Sequence, residues 1–345
     1  MAYSTIIKPS DYMNTKLYTG SGSAQSITGV GMAPDWSWLK GGTNDHLLFN
    51  KVTGVTKYTR TNTADAQSTD AAGLTAFDSD GFTLGSSSSA NDSGTVYASW
   101  NWKANGLGSS NTDGSINSTY TSANTTSKCS IVTYTGTGSN ATVGHGLGVV
   151  PESIWVKCTS TGGEDWMVYH TVLGGTHYLT LNTTAGDNSG GEVIWNDTVP
   201  TSSVFSIGTN GKVNGSGRTY IAYVFAGVKA YSKFSNYFGN GNNDGTFVYT
   251  GFKPGWLMIK NAAESGDQWQ MNDNKRGYNG GIQTYYADSG EASTSTDAID
   301  LLSNGFKMRN NSGARNNSGV QYVYWAFASN PFTANVDGGL PVTAR

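Results

Sequence analysis

The sequence predicts an all-β protein made of three tandem β-sandwich, jelly-roll-like domains, and three observations lead there. The first is composition: of 345 residues, 37% are hydrophobic and only 13% charged, with 46 Gly, 10 Trp, 19 Tyr and 12 Phe. So many aromatics exclude a disordered chain, and so few charges mean a polar surface of Ser, Thr, Asn and Gly. Thr, Tyr and Trp suit pleated strands, Gly and Asn accept turns, and helix formers are scarce. The second is internal repetition. The third is a run of turn signals, such as Asp80-Gly81, Asn210-Gly211 and Asn304-Gly305, between short apolar stretches. Short strands at that spacing predict sandwiches of about seven or eight strands.

The repeat is visible at both ends of each copy. The copies open on Leu17-Tyr18-Thr19-Gly20-Ser21-Gly22, Thr133-Tyr134-Thr135-Gly136-Thr137-Gly138 and Asn236-Tyr237-Phe238-Gly239-Asn240-Gly241. A proline, apolar residues and a lysine follow in Pro34 to Lys40, Pro151 to Lys157 and Pro254 to Lys260. The copies close on Asn91-Asp92-Ser93-Gly94, Asn214-Gly215-Ser216-Gly217 and Asn316-Asn317-Ser318-Gly319, then Tyr97, Tyr220 and Tyr322. Bulky residues at i and i+2 in Trp36-Ser37-Trp38-Leu39 predict a strand with a buried face. Tyr220 to Phe225 is apolar throughout and predicts a central strand covered on both sides. Proline is acceptable at a strand head, where no ladder donor is needed.

These limits divide the chain into a first sandwich with its N-terminal arm (1–105), a second (128–228) and a third (229–329), each expected to close around its own interior. Residues 106–127 are Ser/Thr/Asn-rich and read as a linker or an added hairpin; residues 330–345 read as a C-terminal arm that docks on a neighbour.

The net charge of −3 and the lack of a Lys/Arg cluster exclude a nucleic-acid partner. No apolar run approaches the ~20 residues of a membrane span. Met1 to Lys8 lacks a basic start followed by an apolar core, which predicts assembly in a cytoplasm. There Cys129 and Cys158 are expected as buried free thiols.

Three copies provide an internal control for chemistry: a group present in all is architectural, and one present in a single copy is a candidate for function. Lys40, Lys157 and Lys260 are triplicated and read as lysines snorkelling at strand ends. His46, His145, His170 and His177 lack metal-ligand spacing, so neither a metal nor any other cofactor is expected. Asp78-Ser79-Asp80-Gly81 reads as a turn, since its counterpart is Ser303-Asn304-Gly305. Glu164-Asp165 and Glu264 with Asp267 read as polar loop residues, leaving no catalytic pair. The aromatics repeated between copies read as core. Those outside the repeat are candidates for stacking a glycan: Tyr278, Tyr285 and Tyr286, with Asn272 and Arg276 as hydrogen-bonding partners.

Gly144 to Pro151, Trp166-Met167-Val168-Tyr169-His170, Tyr220 to Phe225, Gly239-Asn240-Gly241 and Gly251-Phe252-Lys253-Pro254 together resemble a repeat of virion proteins in tailed bacteriophages, notably marine ones. The likeness spans nearly the whole chain, and the first copy departs most, with His46-Leu47-Leu48-Phe49 where the others have a Trp. It implies a non-enzymatic tail-fibre, receptor-binding or capsid-decoration protein, located in the virion. It also implies other virion proteins as partners, a homo-oligomer (a trimer, by analogy with fibres) and contact with a host-surface glycan. The alternatives are a free carbohydrate-binding protein and a glycan-depolymerising tailspike.

Overall fold

A computed structural model describes residues 4–277 and 280–331. The chain is nearly all antiparallel β, and its helices among these residues are single turns. Three six-stranded sheets form the frame. The first runs Met13–Thr19, Val96–Trp102, Trp36–Gly41, Leu47–Asn50, Gly54–Arg60, Ser68–Thr69. The third repeats this order with Ser232–Phe238, Gln321–Pro331, Phe252–Asn261, Gln270–Asp273, Ile282–Tyr286, Thr294–Thr296. In both, the apolar closing strand lies between the opening strand and the lysine strand, as a run buried on both faces requires.

The second sheet differs at its edges. Within 106–127, Tyr120–Asn124 pairs with Cys129–Thr135 and is added outside it. The order continues through Thr219–Phe225, Ser153–Cys158, Met167–His170 and Leu179–Thr180. A small sheet covers the outer face of each large one. These are Gln25–Thr28 with Gly81–Leu84 and Leu74–Asp78; Ala141–Gly144 with Val204–Ile207; and Phe247–Tyr249 with Gly305–Met308 and Ile299–Leu302. The architecture is thus sandwich-like. Pro254 lies within its strand rather than at the head, and the ladder shifts register beside it because proline has no donor to give.

The opening and closing motifs are both recognisable because they touch. Tyr18, Tyr134 and Tyr237 stack on Tyr97, Tyr220 and Tyr322 with centroids 5.0, 5.2 and 5.1 Å apart. Their hydroxyls donate to the carbonyls of Ala90, Val213 and Arg315. Buried Asn91, Asn214 and Asn316 accept from the backbone N–H groups of Ser21, Thr137 and Asn240. A Cβ on Gly20, Gly136 or Gly239 would lie 2.1, 2.5 or 2.2 Å from the carbonyl oxygen of Asp92, Gly215 or Asn317, so only glycine fits.

The core departs from the expectation of three separately closed interiors. Strand alternation sends Leu39, Leu47 and Phe49 outward to the first small sheet, and Ile154, Val156 and Met167, or Leu257 and Ile259, to the other two. The opposite faces carry Trp36, Trp38, Trp100, Trp102, Trp155, Tyr223, Phe225, Trp256, Trp325 and Phe327, which form one continuous cluster across all three large sheets. Trp36 stacks on Trp102 at 4.0 Å and meets Trp155 edge-on at 6.5 Å; Trp102 meets Trp256 at 5.5 Å. The reason is that each large sheet is apolar on both faces, while its small sheet covers only one.

Candidate functional site

The charged groups of interest lie where the large sheets meet. Lys40 Nζ donates to the carbonyls of Gly42 (3.1 Å) and Asn44 in its own loop and Gly290 (2.8 Å) in the third copy. Lys157 donates to Glu164 in its own loop and Ala64 (3.0 Å) in the first copy. Lys260 donates to Asp267 and, across the joint, to Thr184 (3.0 Å) in the second. The three lysines therefore link first to third, third to second and second to first, closing a ring. All are buried, so the snorkelling assignment is corrected. Their strand neighbours are apolar on both faces, which leaves no aqueous edge to reach. Burial pulls each ammonium down to about 8.

The aromatic segment after each lysine runs round the ring in the same sense. Trp166 Nε1 donates to the Arg60 carbonyl (2.7 Å), and Trp269 Nε1 to those of Thr180 and Thr183 (3.1 and 3.2 Å). His46, which replaces the Trp in the first copy, packs edge-on to Tyr285 of the third. The backbone N–H groups of His46, Trp166 and Trp269 are held by Asn62, Asn182 and Asp288.

Asp288 is the exception in that set, and burial raises its carboxyl to about 6. A carboxyl raised on folding contributes stability below its unfolded value near 3.8 that is lost as pH rises through 6. Asp288→Asn is expected to restore the arrangement of the other copies, raising stability by about 2 kcal/mol at pH 7.5. Urea unfolding from pH 4 to 7.5 reads this directly: the native chain loses stability over that range relative to the variant. A variant no more stable at pH 7.5 refutes it.

The proposed glycan-stacking surface is corrected. Tyr285 is buried, its ring lying 6.2 Å from Trp100 and 4.3 Å beneath the Arg276 guanidinium, so it has no free face. Asn272 is fully buried, its amide donating to Gln283 O and Thr284 Oγ1. Tyr286 is half-buried, with its hydroxyl on Thr294. Tyr278 lies outside the described residues. Their absence from the sequence repeat marked these residues as unusual, but Tyr285 and Arg276 pack against Trp100 at the joint between the first and third copies, while Asn272 and Tyr286 bond within the third copy.

That joint holds a pair present in one copy only. Asp273 accepts from Trp100 Nε1 (3.0 Å) and from Arg276 Nε (2.7 Å), and Asn50 and His170 hold its position in the other sheets. Asn50 there donates to Tyr223 Oη (3.3 Å), while Trp325 turns to Ser153 Oγ (2.7 Å).

Several of the other titratable groups have local partners. Asp80 accepts from the N–H groups of Gly29 and Gly31, which lowers its pKa and makes it a turn anchor. Glu164 pairs with Arg218 and Asp165 with Lys212. Asn261 donates to both Glu264 and Asp267. Burial lowers His46 and His145, and His170 to about 4, keeping them neutral. Among the described residues no group of three or more His, Cys, Asp or Glu could hold a metal. Cys129 and Cys158 are free and buried, in separate clusters, with burial raising Cys129 to about 12.

A family model described as a domain of unknown function (DUF7483) matches residues 8–331. No curated protein matches the chain.

Proposed function

We propose that this chain, which belongs to the DUF7483 family, is a non-enzymatic structural protein of a tailed-phage particle, a tail fibre or capsid decoration, as the resemblance of its repeated segments implies. One observation carries this reading. Its three sheets close on a common aromatic centre, and the buried ammonium groups are committed to carbonyls across the joints. Such a body is suited to holding surface loops in fixed relation, and copies fixed on one particle multiply a weak contact with a host surface. The described carboxylates of the lysine loops are paired with cations or amides, which suits architecture better than acid–base work. In this reading it assembles with other virion proteins as a homo-oligomer, and the fibre resemblance favours a trimer.

The test is to locate the protein on purified particles by mass spectrometry and electron cryo-microscopy. Density for this threefold set of sheets on the head or tail is expected, and absence of the protein from intact particles overturns the proposal. New reducing ends released from host polysaccharide by the pure protein would instead establish a depolymerase.

A further inference from the structure

We propose that the cleft between the first and third copies binds a carboxylate carried on a small polyhydroxylated molecule of the uronic-acid class, with Arg276 as the group that grips it. The cleft measures about 530 Å³, within the range of small-molecule sites. Arg276 is the one charged residue lining it; Thr95, Gln283 and Ser293 add hydroxyl and amide groups to its walls.

The guanidinium is placed to act on an anion. Its side chain is 8% exposed, and Nε is held by Asp273 at 2.7 Å. The rings of Tyr285 and Trp100 lie 4.3 and 5.3 Å from it and fix its plane. Nη1 and Nη2 are buried without a hydrogen-bond partner among the described residues. Two unused donors on one planar cation are costly to bury and match the two oxygens of a carboxylate. Asp273 does not fill that role. It already accepts from Trp100 Nε1 and from the backbone N–H groups of Lys275 and Arg276, besides Arg276 Nε.

The lysines Lys40, Lys157 and Lys260 recur in every copy and have carbonyl partners. Arg276 and Asp273 occur once, as a functional group grafted onto a repeated frame would. This inference stands on the cleft alone and is independent of any place in a virion.

The experiment is calorimetric titration of the full chain with glucuronate, with glucose, acetate and sulfate as separate arms. Saturable glucuronate binding is expected, with none for glucose and at least roughly tenfold weaker binding for acetate and sulfate. Arg276→Gln should weaken glucuronate by roughly tenfold or more. Because Arg276 also packs, Val96→Glu provides a second variant: Val96 lines the cleft and is 58% exposed, so the fold is untouched while a carboxylate competes for the guanidinium. Failure of glucuronate to bind, or binding unchanged in a folded Val96→Glu chain, overturns the site. Acetate binding as tightly as glucuronate overturns the saccharide assignment, and sulfate preferred over both overturns the carboxylate.

Discussion

Trp102→Ala should destabilise the entire chain by about 3–5 kcal/mol in a single transition, rather than unfold one third of it. The indole stacks on Trp36 at 4.0 Å, meets Trp256 edge-on at 5.5 Å and Phe327 at 5.7 Å, and is fully buried. Removing it opens a cavity lined by the first and third copies, and Trp36 is in turn in contact with Trp155, Tyr223 and Phe225 of the second. Aromatic pairs of this kind add about 0.5–1.5 kcal/mol each beyond area burial. Differential scanning calorimetry is the measurement. One endotherm moved down by roughly 5 °C is expected, given the entropy of unfolding a chain this long. Three separable transitions, with only one displaced, would show that the copies unfold independently and that the shared centre is not a cooperative core.

The second large effect is in pH. Lys40, Lys157 and Lys260 are lowered by burial from 10.5 to about 8. A group depressed on folding contributes stability that is fully present above its unfolded value and lost as pH falls through its folded value. Between about pH 8 and 10.5 the unfolded chain therefore binds more protons, and stability rises with pH. Each lysine contributes about 1 kcal/mol from pH 7 to 9, so the three together contribute about 3–4 kcal/mol. The tyrosines oppose this. Tyr18, Tyr134, Tyr220 and Tyr237, among others, are raised by burial above 10.0, and Cys129 is raised from 9.0 to about 12. Groups raised on folding cost stability once the unfolded chain begins to ionise, which for tyrosine matters only near pH 10. The groups facing the lysines are Asp45 and Glu291 at Lys40, Cys158, Asp165, Asp65 and Glu164 at Lys157, and Asp288 and Asp267 at Lys260. Urea midpoints should peak near pH 9, well above the acidic isoelectric region of a chain with net charge −3. Lys157→Met should remove about a third of the rise. A flat or falling profile from pH 7 to 9 would be incompatible with buried, charged lysines at the joints.

The β class, the central place of Tyr220 to Phe225 and the matched ends of each copy were legible because they depend on local patterns. Alternation needs only i and i+2, and a turn needs only its own glycine and asparagine. The motifs around Gly20 and Asn91, although distant in sequence, were visible for a related reason: each copy repeats the same steric demand, and repetition exposes it. The burial of the lysines is not legible in this way. Periodicity shows that Lys40 is on a strand, but only the arrival of Gly290 from another copy makes it buried.

The amino-acid sequence by itself determined that strands form, where they turn, and which side chains lie on each face of a large sheet. The tertiary structure alone decided what covers the second face. A two-sided apolar sheet is equally satisfied by a private partner layer or by another copy of itself, since the hydrophobic effect carries no address. Here the second choice converts Tyr285 and Arg276 from an imagined surface into a joint, and leaves two guanidinium nitrogens of Arg276 buried without a partner among the described residues beside a cleft.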